Sequence, residues 1–152
     1  MDNTTQNYNM KIYNAQDTIL GRLATTVAKD VMLGEEVHII NCEKAVISGR
    51  KVATVDNERT RRLRKGYPLK SAKFSRLPDR YVRRTIRGML PWKFARGKEA
   101  FDRIHCHISI PVGLQDKINT AISLTKESKK KLPTLKYITV GEVCKQLGGR
   151  IS

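Results

Sequence analysis

Three stretches of the sequence carry side chains whose type and spacing suit them to chemistry. His105-x-His107 sets two imidazoles on one face of an extended segment, the arrangement that opens many transition-metal sites. Ser48-Gly49-Arg50-Lys51 stands between an apolar run and a helical pattern, where backbone amides can meet an anion. Arg83-Arg84-Thr85-Ile86-Arg87 crowds three guanidinium groups into five residues, with Arg80 one turn earlier. Such groups fork onto oxyanions and stack on planar rings.

The first two lead nowhere definite. No carboxylate, cysteine or third histidine stands at familiar ligand spacing from His105 and His107, so no metal is expected. Ser48-Gly49-Arg50-Lys51 reads equally as a plain strand-to-helix turn. Gly97-Lys98 superficially matches a phosphate loop, but that spacing needs glycine where Trp92 stands and Ser/Thr at Glu99. There is no G-x-G-x-x-G after a strand, no serine elbow and no locally paired carboxylates, so neither catalysis nor a cofactor nor a small-molecule substrate is expected. Cys42, Cys106 and Cys144 are an odd, widely spaced set, read as small buried hydrophobes in a reducing interior rather than a disulfide framework. The first ten residues lack the pattern of a signal peptide. The longest uncharged run, 104–115, is too short to span a bilayer.

The arginines are another matter. The 152 residues carry 30 Lys/Arg and 14 Asp/Glu, a formal charge of +16. Half of those cations lie between positions 59 and 98, where Asp79 is the only acid. They are Arg59, Arg61, Arg62, Arg64, Lys65, Lys70, Lys73, Arg76, Arg80, Arg83, Arg84, Arg87, Lys93, Arg96 and Lys98. Tyr67, Phe74, Tyr81, Trp92 and Phe94 interleave with them and could stack on unpaired bases. Self-repulsion on this scale asks for a polyanion, with nucleic acid ahead of an anionic membrane surface. The candidate contacts are these fifteen cations with Arg50, Lys51 and Trp92.

Elements must position that charge. Lys11 to Asn14 reads as a short strand. Leu20, Leu23, Ala24, Val27, Ala28, Val31 and Met32 recur with helical period, and Gly34 is placed to end the helix. A β-rich run from Val37 to Cys42 and a second at Ala45-Val46-Ile47 follow, then a helix through about Lys65. This is the rhythm of a parallel α/β sheet. Pro78 opens a basic helix whose apolar stripe is Val82, Ile86, Met89 and Leu90, ended by Pro91; Arg80, Arg83, Arg84 and Arg87 lie away from the stripe. Alternation from Ile104 to Ile110 predicts a strand stopped by Pro111. Thr139-Val140-Gly141-Glu142 is a capping box opening a last short helix closed by Gly148. One domain over 1–152 is expected, with residues 1–9 a flexible lead and 59–98 the basic segment.

Several of these residues carry a resemblance. Asp17-x-x-Leu20-Gly21-Arg22-Leu23-Ala24, Val37-x-Ile39-Ile40-Asn41, Ser48-Gly49-x-Lys51, Arg96-Gly97-Lys98-x-Ala100 and Tyr137-Ile138-Thr139-Val140-Gly141-Glu142 are among them. With Arg84-Thr85-Ile86-Arg87-Gly88-Met89-Leu90-Pro91, they resemble the universal large-subunit ribosomal protein family numbered thirteen, in its archaeal and eukaryotic form. The match runs in order over about residues 10 to 150, and is loose from 104 to 131. The resemblance implies a three-layer α/β/α domain on a four-stranded, mainly parallel sheet with a basic helical and loop extension. It implies a structural role without catalysis: binding large-subunit ribosomal RNA, assisting early subunit assembly and touching neighbouring ribosomal proteins in the cytoplasm. The rival reading of the same basic face is a DNA- or tRNA-binding regulator.

Overall fold

The computed structural model describes residues 10–64, 66, 74–124 and 128–150. Lys65, Tyr67, Lys70, Lys73 and the 1–9 lead lie outside the described residues. In chain order the elements are β1 (Met10–Asn14), α1 (Leu20–Met32), β2 (Glu36–Ile40), β3 (Val46–Ser48) and α2 (Lys51–Leu63). Then come α3 (Pro78–Arg87), α4 (Ala95–Asp102), β4 (Ile104–Cys106), β5 (Ile122–Ser123), β6 (Tyr137–Thr139) and α5 (Val140–Gln146). Short 3-10 turns occupy Cys42–Lys44, Val112–Thr120 and Lys129–Lys131.

The main sheet has the order β4-β2-β1-β5 with every pair parallel. Parallel neighbours need a long crossover, and α1 supplies it between β1 and β2, which pair from Met10 opposite Glu36 to Asn14 opposite Ile40. The stripe Leu20, Leu23, Ala24, Val27, Ala28 and Val31 is buried, and Gly34 ends the helix at φ +98° in the left-handed region, as its position suggested. The main core lies between this face of the sheet, through Tyr13, Val37, Ile39 and Ile104, and the helices α1, α3 and α4. On the other face Ile12 and Ile40 pack with Leu114 under the 3-10 turns of 112–120, which form a thin third layer.

Three expectations need correction. The run at 45–47 does not extend the parallel sheet: β3 pairs antiparallel with β6, Val46 opposite Thr139 and Ser48 opposite Tyr137. Too few residues separate it from β2 for a parallel crossover, and Asn41, at φ +57°, turns the chain out of the sheet first. The strand expected to reach Ile110 ends at Cys106. Ser109 takes φ +59°, and its amide donates to Glu43 Oε2 at 3.0 Å instead of continuing the ladder. The basic helix stops at Arg87 rather than Pro91. The tight turn after it carries Leu90 inward and leaves Met89 outside, 44% exposed, so Met89 is no core residue.

Other local readings hold. The Thr139 hydroxyl accepts from the Glu142 amide at 3.2 Å, and the Glu142 carboxylate accepts from the Thr139 amide at 3.4 Å. Gly97 serves packing, not phosphate: α4 sits so close to the turn before it that a Cβ there would fall on the Pro91 carbonyl. All three thiols are free. Cys42 and Cys144 are buried, and burial pushes the Cys144 thiol up to about 11.

Ile86 and Met89 now divide cleanly. Ile86→Ala should cost about 2–5 kcal/mol, as for other fully buried aliphatics, whereas Met89→Ala should stay within about 0.5 kcal/mol. Denaturant melts of the free protein compare them, and equal losses would place Met89 in the core after all.

Candidate nucleic-acid interface

Helix α3 is the axis of the basic surface. Pro78 at its first turn presets the backbone for a helix, and the Ser75 hydroxyl receives the Leu77 amide at 3.2 Å just ahead of it. Val82, Ile86 and the following Leu90 are buried against α1 and β4. With that face committed, positions 80, 83, 84 and 87 must line the opposite side. Arg80 is exposed, while Arg83, Arg84 and Arg87 are half-buried.

Those three arginines are not loose side chains. The Arg87 guanidinium lies 4.0 Å from the Trp92 ring centre, Arg84 4.0 Å from Phe74 and Arg83 4.3 Å from Phe101. Trp92 in turn meets Phe101 edge to face at 5.0 Å. Arg83 also donates to the Phe101 carbonyl at 3.3 Å, and Arg62, reaching across from α2, donates to the Ser75 carbonyl at 2.8 Å. The aromatic rings thus hold the arginines in place through cation–π contact. Among the described residues, the Nε of Arg62 and of Arg83 are buried and meet no hydrogen-bond acceptor. A buried cationic donor lacking an acceptor is costly, so these two arginines are held by their packing and their terminal nitrogens.

Two grooves flank the row. One, of about 500 Å³, lies between α2 and α3 and is lined by Arg61, Arg62, Phe74, Arg80, Tyr81 and Arg84 among others. The second, of about 560 Å³, runs along the other side past Arg80, Arg83, Arg84, Arg87, Trp92 and Phe101. Arg80 and Arg84 line both. At the floor of the first, Glu58 is buried and accepts from Arg61 at 3.0 Å. Burial first, then the Glu58 charge, pushes the Tyr81 phenol well above its ordinary value, so it stays protonated.

The remaining candidates are more scattered. Arg59 and Arg64 are exposed on and just beyond α2, Arg59 within 3.9 Å of Asp56. Arg76 is exposed, with its backbone packed against Gly149. Lys93, Arg96 and Lys98 are exposed around the start of α4, outside the lining of either groove. Arg50 and Lys51 sit at the far end of α2, where Lys51 is 3.7 Å from Glu142. In the nearby turn the Gly49 amide is already given to the Lys136 carbonyl at 2.9 Å, which favours the plain-turn reading. Sequence reasoning missed Phe101, Ser75 and Glu58 as supports of the row. Glu58, the last acid before a run of arginines, was the one legible signal.

Comparison with known proteins bears on what such a surface is for. A family model described as ribosomal protein L13 matches residues 9–112. The chain belongs to the ribosomal protein L13 family. It is 43% identical over 147 residues to the large ribosomal subunit protein uL13 of Methanococcoides burtonii, covering 93% of this chain and 99% of that protein. The namesake from Methanosarcina barkeri is 42% identical over 142 residues, and that from Methanocaldococcus jannaschii 40% over 144, with the same coverage. The matched family is one of structural ribosomal components, not of enzymes. Its model ends near Pro111, where the sequence resemblance also loosens.

The row predicts a split between neighbouring arginines in the free protein. Arg83→Ala removes a ring contact and a carbonyl hydrogen bond, so it should lower stability by about 1–3 kcal/mol. Arg80→Ala removes an exposed side chain and should leave the melting curve within about 0.5 kcal/mol of the parent. Identical melts for the two would mean that the ring contacts hold nothing in place.

Proposed function

We propose that this L13-family chain is a structural constituent of the large ribosomal subunit, in the cytoplasm, and that it grips large-subunit ribosomal RNA with the surface of α2 and α3. The observation that carries the reading is the arginine row of α3, seated on aromatic rings with its outer edge turned to solvent. A ring-backed guanidinium has already lost much of its rotamer freedom, so less entropy is forfeited when it clamps a phosphate. Two grooves on either side let the row follow a backbone rather than a single anion. The relatives' names supply the ribosome, and the excess charge of the 59–98 segment supplies the reason for a polyanionic partner. Assistance in early assembly and contact with neighbouring large-subunit proteins belong to the same reading. An RNA-bound, fully folded small domain can order RNA segments around itself before the subunit closes.

Arg62 and Arg83 help to build the fold, so they are poor probes of binding. Exposed positions separate the two roles. Replacing the exposed Arg59, Arg64 and Arg80 by Gln should leave the melt near the parent, while weakening binding to a large-subunit RNA fragment and flattening its salt dependence. The slope of log K against log salt should fall by about 0.7–0.9 for each phosphate that is no longer neutralised. Co-sedimentation of the parent with large subunits at moderate salt is the companion measurement. An unchanged slope in the triple variant would move the RNA surface off α2 and α3, and failure of the parent to sediment would remove the ribosomal role itself.

A further inference from the structure

The chain has three histidines, none of them in the arginine row, and the fold brings all three together. Parallel register sets His38 of β2 opposite His105 of β4. Alternation along β2 puts Glu36 on the same face as His38. His38 Nε2 lies 3.4 Å and His105 Nε2 3.3 Å from one and the same Glu36 oxygen, Oε1. The donor atoms of the three residues all lie within 4.8 Å of one another.

These separations are informative. A charged N–H···O⁻ hydrogen bond closes to about 2.7–2.9 Å, so both gaps are too wide for good bonds of that kind. Around a tetrahedral zinc with bonds of about 2.0–2.1 Å, neighbouring donor atoms stand about 3.3–3.4 Å apart. The two Glu36 distances match edges of that tetrahedron, and the third pair of donors lies within 4.8 Å.

His107 adds the layer behind. Its Nε2 lies 3.2 Å from His38 Nδ1, and the two rings are parallel within 2°. A metal-binding histidine passes its other ring N–H to an acceptor, which fixes the tautomer and the aim of the ligating nitrogen. In the tautomer that donates Nδ1–H to His107, His38 keeps its Nε2 lone pair for an ion, on the side where Glu36 lies.

We propose that Glu36, His38 and His105 form a site for a zinc-class divalent ion, with His107 orienting His38 and solvent completing the coordination. Two imidazoles and a carboxylate suit zinc and its transition-metal neighbours rather than magnesium or calcium, which take oxygen donors. The spacing His105-x-His107 hinted at a metal but pointed to the wrong pair, because only one of these histidines is a ligand. The missing partners come from β2, far earlier in the chain than His105, through strand pairing.

The test titrates Zn²⁺ alone into the full-length chain by calorimetry, and Co²⁺ by visible absorption. One ion per chain is expected, with the intense visible bands of tetrahedral cobalt and no near-ultraviolet thiolate band. His105→Ala and Glu36→Gln should each weaken binding about tenfold or more, and His107→Ala should weaken it with every ligand still present. The Glu36 and His105 side chains are 36% and 43% exposed, so these variants should fold, and melting curves verify it. Cys106→Ser should bind as the parent does. Affinity unchanged in His105→Ala and Glu36→Gln, loss of binding in Cys106→Ser, or no stoichiometric ion at micromolar concentration would each overturn the site.

Discussion

Burial of Val82, Ile86 and Leu90 beneath α1 is the contact on which the basic surface depends. Helix α3 holds four arginines and one acid in ten residues, so its own electrostatics oppose compaction. Each buried aliphatic side chain contributes about 1.5–3 kcal/mol, and together they outweigh the weak, solvent-screened repulsion between guanidinium groups at the surface. The stripe also sets the helix rotation, and rotation decides where every arginine points. The arrangement of the row follows from the apolar face and not from the charges.

A second tier of contacts converts direction into position. Phe74, Trp92 and Phe101 arrive from three separate segments and meet Arg84, Arg87 and Arg83 respectively. Two of these rings come from the turn after α3 and from α4, which explains why a tight chain reversal follows the helix. Gly97 allows that reversal by letting α4 close on Pro91. The aromatics interleaved with the cations therefore act first on the protein's own arginines. Any stacking on RNA bases would use what those contacts leave exposed, and Phe94, 63% exposed, is the freest of the described rings.

How much of this was legible depended on the range of the interaction. Helix α1, its Gly34 cap and the Thr139–Glu142 capping box were readable because their partners lie within four residues. The arginine face of α3 was readable for the same reason. Met89 was misjudged because the stripe was extended through a turn that begins at Gly88, where helical periodicity no longer applies. β3 was placed in the wrong sheet because its partner, β6, is about ninety residues away and three apolar residues do not encode a direction. The histidine cluster was invisible for the same cause. It exists only in the register of β2 against β4, and Glu36 and His38 had no local feature to mark them.

The claim that α3 presents one face to the core and the other to RNA is tested most directly by mapping where RNA touches the folded chain. Photo-crosslinking to large-subunit RNA followed by mass spectrometry of the peptides reads this without altering any residue. The account predicts crosslinks concentrated on the exposed side of α2 and on the Arg80–Arg87 row. Crosslinks confined instead to the end of α1 and the turn after α3, where Met32, Leu33 and Met89 are exposed, with α2 and the arginine row silent, would contradict it.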